Sequence, residues 1–394
     1  MTREFIDFVN AHKDEDTARL LLSAARYPSI DMPAAVQQIE GLRTAREKWP
    51  GLLECEEYLY PPRLNREQSS SEATARYKAS IISTVNHRPS TVADLTGGMG
   101  IDTLAFAKVA EHVDYVERDP QLCALMEHNL RALGVTNVTV HCADSMEWFG
   151  STQGYAPTTI YMDPARRDAA GRKVAGFEDC TPNILDHLKQ LLSRCSTLMV
   201  KASPMIDIDL ACRQLGCVAD VHVVAVGGEC KEVLFVCRPD MKETTICCVE
   251  CKTDVPPRTF RFSRGEEAAA PVALAAEVGR YLYEPSAALM KAGPYRLIAA
   301  RYGLRMLDVS THLYTGDALV EGFSGRVFRV LREVKATRKA VAEALPEGKA
   351  HVVTRNYPEA AAELQRRLGL KEGGDRFLVA ATHAGRPRCW LCEL

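Results

Sequence analysis

Long apolar runs are missing from this chain. No stretch approaches the roughly 18 uninterrupted apolar residues that a membrane helix needs, so no membrane span is predicted. The opening Met1-Thr-Arg-Glu-Phe-Ile-Asp7 lacks a basic segment followed by an apolar core, and no secretory leader is expected. Internal repeats and low-complexity tracts are also missing, which excludes solenoid and fibrous classes. The ten histidines show no ligand spacing, and no metal is expected. Net charge is nearly absent at -2, but it averages unequal parts: Gly279 to Leu394 holds 19 Lys/Arg against 12 Asp/Glu, and the preceding residues hold 30 against 39. A basic C-terminal part on an acidic body points to a polyanionic partner.

What is present fits an ordinary globular protein. With 394 residues, 46% hydrophobic and 25% charged, two to three domains are expected. Fourteen cysteines are scattered along the chain with no export signal, so they read as reduced, mostly buried thiols, and the cytoplasm is the expected compartment. Cys248-Val-Glu-Cys251 and Cys389-Trp-Leu-Cys392 have the spacing of zinc pairs but lie in strand-like sequence, which favours buried strand cysteines.

Residues 1–65 read as helical. Phe5, Phe8 and Val9 share a face, as do Leu20, Leu21 and Ala24; Asp31 and Pro33 open a third helix with a Val36, Ile39, Leu42 stripe. Asp14-Glu-Asp16 reads as a solvated helix start, and Ser69-Ser-Ser-Glu-Ala-Thr74 begins another helix. Residues 66–263 then alternate short apolar strands with helices: 92–95, 113–116, 138–140, 159–162 and 197–200, followed by 221–226 and 232–237 joined through Gly227-Gly228. That rhythm predicts a doubly wound α/β sheet ending in an antiparallel hairpin. Residues 264–320 read as a linker and a further segment with a helix over 287–302. Residues 321–394 read as an α+β domain in the order strand, helix, strand, helix, strand, strand.

The most informative segment is Val92-Ala-Asp-Leu-Thr-Gly-Gly-Met-Gly-Ile-Asp-Thr103. Glycines at a strand-to-helix turn let backbone approach a ligand. A dinucleotide fingerprint would place its third glycine where Thr103 stands, and the anionic Asp94 would oppose a pyrophosphate. The same carboxylate suits a ligand bearing an ammonium and a sulfonium. Glu117, nineteen residues past Gly98, ends the next strand and can accept from ribose hydroxyls; Asp144 follows the third strand and can accept from an adenine amino group.

Residues 72 to about 240 thus resemble a class I S-adenosylmethionine-dependent methyltransferase, with motif I at Asp94 to Gly100 and motif IV at Asp163-Pro164. The resemblance implies a seven-stranded Rossmann-like sheet in the order 3-2-1-4-5-7-6, with S-adenosylmethionine as cofactor. It implies contacts from Asp94, Thr96, Gly97, Gly98, Gly100, Asp102, Glu117, Arg118, Asp144, Ser145 and Asp163. Residues 281–394, with Tyr281-Leu-Tyr-Glu-Pro285 and Leu289-Met-Lys-Ala-Gly293, resemble the ferredoxin-like and THUMP-like extension of a group of bacterial methyltransferases.

Met162-Asp-Pro-Ala-Arg-Arg-Asp168 ends the fourth strand, where the methyl group should emerge. Asp163 and Pro164 match the motif of amine-methylating enzymes; Ala165 and Arg166 do not, so an aromatic stacking partner is missing or replaced by a guanidinium. Asp-Pro-Ala-Arg also resembles RNA uracil-C5 methyltransferases, but Val200-Lys-Ala-Ser-Pro204 offers no thiol where they need one. Asp163, Pro164 and Arg166 are the expected catalytic residues, and Arg166, Arg167 and Lys201 could hold a phosphate or acidic group of the substrate. The leading expectation is methylation of a nitrogen on an RNA base. The alternatives are a protein or small acidic substrate, and a non-catalytic RNA-binding protein that retains the cofactor fold.

Overall fold

The structure is a computed structural model that describes residues 2–85, 90–165, 176–178, 180–239, 241, 243–251 and 255–394. By internal contacts the chain divides into two units, one of residues 1–219, 233–242 and 251–254, the other of residues 220–232, 243–250 and 255–394.

The first unit begins with helices Arg3–His12, Thr17–Leu22 and Met32–Lys48. Their starts follow from local chemistry: Thr2, Asp16 and Asp31 each accept hydrogen bonds from first-turn amides, and Pro33 sits in the first turn of the third helix. Phe8, Val9, Leu20, Met32, Ala35, Val36 and Ile39 make one core, while Leu21 faces outward. The helix Glu72–Val85 opens as expected, with the Thr74 amide donating to Ser71 Oγ. These helices share a core with the sheet: Ala45, Trp49, Tyr58 and Tyr60 pack with Met99, Tyr115 and Met126.

Nine strands follow: β1 (Thr91–Asp94), β2 (His112–Glu117), β3 (Val138–Cys142), β4 (Thr159–Met162), β5 (Thr197–Ala202), β6 (Val218–Val226), β7 (Glu229–Cys237), β8 (Thr245–Cys251) and β9 (Arg258–Phe262). Strands β1 to β5 pair in parallel, with helices Ile101–Ala107, Pro120–Ala132, Ser145–Ser151 and Ile184–Leu192 in the intervening connections. The sheet order is β3-β2-β1-β4-β5-β7-β6-β8-β9, so its first seven positions have the implied order and two further strands extend it. In β8, Ile246, Cys247, Cys248 and Val249 are all buried, as in a strand covered on both faces.

A second sheet holds β10 (Tyr281–Pro285), β11 (Arg305–Met306), β12 (Tyr314–Gly316), β13 (Gly325–Glu333), β14 (His351–Arg355), β15 (Phe377–His383) and β16 (Arg386–Glu393), ordered β11-β12-β10-β13-β16-β15-β14. The helix expected over 287–302 is two helices, Ala287–Ala292 and Tyr295–Tyr302, because Gly293-Pro294 interrupts it. Leu378, Ala380, Cys389 and Leu391 face a core with Val341 and Leu364; Phe377, Val379, Trp390 and Cys392 face another with Leu282 and Phe328. This two-residue alternation sends Cys389 and Cys392 to opposite faces of β16, where they cannot grip one ion. The cysteines form no disulfides. Among the described residues no His, Cys, Asp or Glu group is arranged to hold a metal, and no helix is long and apolar enough to cross a membrane.

Ile39 is fully buried in the N-terminal helical core. Ile39→Ala is expected to cost about 2–5 kcal/mol, read as a lower denaturation midpoint of the first unit in urea.

Candidate functional site

Parallel pairing brings the C-terminal ends of β1, β2, β3 and β4 to one edge of the sheet. The chain leaves β1 toward β2 on one side, and β4 lies on the other, which makes this the point where strand order reverses and ligands bind in open α/β sheets. Asp94 and Glu117 close their strands, Asp163 follows β4 directly, and Asp144 follows β3 by two residues.

The glycine turn is held from behind. Tyr115 Oη donates to the Gly98 carbonyl at 2.7 Å, and a Cβ on Gly97 would lie 2.3 Å from the Tyr115 ring. Gly100 has φ +81°, and a Cβ there would lie 2.5 Å from Met126 Sδ. Glycine is required at Gly97 by the contact with the Tyr115 ring and at Gly100 by its left-handed backbone. On Gly98 a Cβ would meet nothing nearer than the Thr96 carbonyl at 3.7 Å, so that face of the turn is open to a ligand.

Asp94 is 1% exposed. Thr103 Oγ1 donates to its Oδ2 at 2.6 Å and the Thr96 amide to its Oδ1 at 3.1 Å. Thr103, at the position where a dinucleotide site would have glycine, therefore clasps the strand-end acid to the following helix. Burial pushes the Asp94 carboxyl up to about 7; the Thr103 and Thr96 hydrogen bonds oppose this, and nearby Asp102 and Asp163 reinforce it. A carboxyl kept from water and only partly compensated fits a ligand that carries positive charge, as S-adenosylmethionine does.

Glu117 uses one oxygen for the Gly98 amide and the other for the Asp119 amide, each at 2.9 Å, and each oxygen keeps a lone pair for another donor. Asp144 is exposed and caps its helix, accepting from Met146 and Glu147 amides through Oδ1. Ser145 is the first residue of that helix, and Arg118 is exposed beside Glu117. The turn reaches β4 through Thr96, whose Oγ1 accepts from the Asp163 amide at 2.6 Å. Pro164 is buried, and Ala165 bridges to Thr181. Arg166 and Arg167 lie outside the described residues.

Two expected contacts point elsewhere. Asp102 turns away from the glycine turn: Ser70 Oγ and Tyr161 Oη donate to its Oδ2 at 2.8 and 2.9 Å, and Lys78 Nζ meets its Oδ1 at 3.0 Å. Burial alone would raise the Asp102 carboxyl, but Lys78 and Lys201 outweigh it and hold it below the ordinary range. Lys201, expected to meet an acidic substrate group, is buried instead and pairs with Asp163 Oδ2 at 2.5 Å. Ser70, Lys78, Thr103 and Tyr161 were not among the expected site residues; the hydroxyl-rich Ser69-Ser-Ser71 start was read only as a helix cap.

The comparisons agree with this architecture. Residues 281–323 match a family described as a ferredoxin-like domain, and residues 325–394 one described as THUMP domain-like. A protein of Mycobacterium tuberculosis, in strains CDC 1551 and H37Rv, is described as an uncharacterized S-adenosylmethionine-dependent methyltransferase. It is 25% identical over 329 residues, covering 81% of this chain and 83% of its own. The crystal structure of a protein proposed to be a methyltransferase, from Porphyromonas gingivalis W83, superposes with a TM-score of 0.86 at 29% identity. That match covers 99% of this chain and 97% of the other.

A group with a raised carboxyl pKa binds its proton in the folded state while the unfolded chain has released it. Asp94 therefore lowers stability as pH rises from about 4 to about 7, by up to roughly 4 kcal/mol, and adds no further slope above that. Asp94→Asn is expected to flatten this part of the stability–pH curve, as followed by urea denaturation at each pH.

Proposed function

We propose that this chain, an S-adenosylmethionine-dependent methyltransferase with ferredoxin-like and THUMP-like domains at its C-terminus, methylates RNA. The cofactor reading assigns Asp94, Thr96, Gly97, Gly98 and Gly100 to the amino-acid end of S-adenosylmethionine. Glu117 and Arg118 flank its ribose, and Asp144 and Ser145 its adenine. Bound there, the cofactor supplies an electrophilic methyl group on a cationic sulfur. Methyl transfer needs an in-line approach, so the chain's task is placement. Asp163 is the group that meets the acceptor, a nitrogen on the reading that Asp163-Pro164 carries alone. Thr96 ties the Asp163 backbone to the cofactor turn, which keeps acceptor and donor in one frame.

The observation that carries the RNA reading is a group of exposed cations in the THUMP-like domain. Lys335 precedes the helix Arg338–Ala344, Arg338 and Lys339 open it, and Arg366 and Arg367 stand in the last turn of the helix Ala361–Leu368, Arg367 also donating to Glu359. The two ends meet: Arg367 Nη1 donates to the Ala336 carbonyl at 2.7 Å, and Arg338 lies over Gly369. Clustered arginines and lysines suit phosphates, and phosphate contacts dominate nucleic-acid affinity. An acidic small-molecule substrate held by Lys201 loses support, since Lys201 is committed to Asp163.

Calorimetry with S-adenosylhomocysteine tests the cofactor site: the wild type binds, Asp94→Ala loses at least about hundredfold in affinity, and Asp163→Ala binds normally but does not turn over. Unchanged affinity in Asp94→Ala contradicts the assignment. For RNA, Arg338→Glu with Lys339→Glu is expected to weaken filter-measured binding roughly tenfold or more and to reduce its salt slope by about one per lost phosphate contact. Full affinity with an unaltered slope contradicts the RNA-contact assignment.

A further inference from the structure

Lys201 on β5 and Lys78 on the helix Glu72–Val85 approach one hydroxyl from two directions: their Nζ atoms lie 3.4 and 2.7 Å from Ser70 Oγ. Lys201 is 4% exposed and Lys78 is 0% exposed. Lysines leave water almost only when paired. Here Lys201 pairs with Asp163 at 2.5 Å and Lys78 with Asp102 at 3.0 Å. Lys201 therefore stands behind Asp163, whose side chain remains 22% exposed at the end of β4, and Lys78 joins it through the shared Ser70 hydroxyl.

This arrangement discriminates between acceptors. A base nitrogen becomes more positive as it takes a methyl group, and a site built for it offers carboxylate or carbonyl oxygens without a counter-charge. At the end of β4 the Asp163 carboxylate already has Lys201 as its counter-charge, and Asp102 has Lys78. A hydroxyl oxygen behaves oppositely: it sheds a proton as it attacks and gathers negative charge, which nearby ammonium groups stabilise in a low-dielectric setting. We propose that the methyl acceptor is a hydroxyl oxygen, on RNA the ribose 2′-hydroxyl, met by Asp163 with Lys201 and Lys78 as positioning residues behind it. This rests on the RNA reading and replaces the nitrogen acceptor with oxygen.

In the step, the hydroxyl oxygen forms a bond to the methyl carbon, and the carbon–sulfur bond breaks with its electron pair left on sulfur. The hydroxyl proton passes to the Asp163 carboxylate and from there to water. The sulfonium charge is thereby replaced by one released proton, and no other reactant is needed. Lys201 fixes which Asp163 oxygen faces the acceptor. Ser70, which accepts from both lysines and donates to Asp102 at 2.8 Å, keeps the two ammonium groups in one cluster.

The test uses the full-length wild-type protein, total cellular RNA and S-adenosylmethionine tritiated in its methyl group, followed by alkaline hydrolysis of the RNA. Alkali cuts beside a free 2′-hydroxyl, so a 2′-O-methyl group survives in an alkali-stable dinucleotide. Label in dinucleotides is the expected result. Label released in mononucleotides overturns the hydroxyl acceptor and leaves the RNA reading standing; RNA without label overturns both. Lys201→Met is expected to lower kcat at least about tenfold while S-adenosylhomocysteine affinity stays within about threefold, and Lys201→Arg to restore part of kcat. Ser70→Ala keeps both charges and lowers kcat in the same way, so it decides the matter where Lys201→Met fails to fold. Unchanged kcat in a folded variant of either residue overturns the positioning role.

Discussion

A lysine ammonium held away from water without a partner costs several kcal/mol, and this constraint organises the ends of β1 and β4. Lys78 requires Asp102 and Lys201 requires Asp163. Asp102 in turn is fixed beside the glycine turn by Ser70 and Tyr161, and Asp163 is fixed to that turn through Thr96. The glycine turn and the end of β4, which look independent as motifs, are linked by one set of mutually neutralising groups. Asp94 is held by Thr103 and Thr96 instead of a lysine, and burial pushes its carboxyl up.

The seat was largely legible because its signals are local. Glycines in a strand-to-helix turn, an acid at each successive strand end and the alternation of strand and helix all lie within short windows of sequence. Local reading also placed Asp31, Pro33 and the Val36-Ile39 stripe, and nearly every element of residues 325–394. It missed the interruption at Gly293-Pro294, where the apolar pattern on both sides outweighed the two residues that break a helix. It caught β8 only as strand-like sequence around Cys248 and Cys251 and stopped short of β9, where arginines interrupt the aromatic residues.

The ion network was not legible, for a physical reason. A lysine in sequence is presumed to reach solvent, and nothing near Lys78 or Lys201 in the chain reveals that each is enclosed. Asp102 sits inside a glycine-rich motif and was therefore assigned to the ligand, although its carboxylate serves the helix that precedes β1. The N-terminal helices read only as a helical region, yet Trp49 and Tyr60 share a core with Tyr115 and Met126, which support the turn from behind.

The span between the members of this network has a consequence for biosynthesis. Ser70 and Lys201 are 131 positions apart in the chain. While the ribosome has delivered the first but not the second, Asp163 has no counter-ion, and the interior around it cannot close without stranding a charge. The ion pair between Asp163 and Lys201 therefore forms only once β5 has been made. A nascent chain that stops short of Lys201 has the glycine turn but lacks the ammonium that neutralises Asp163.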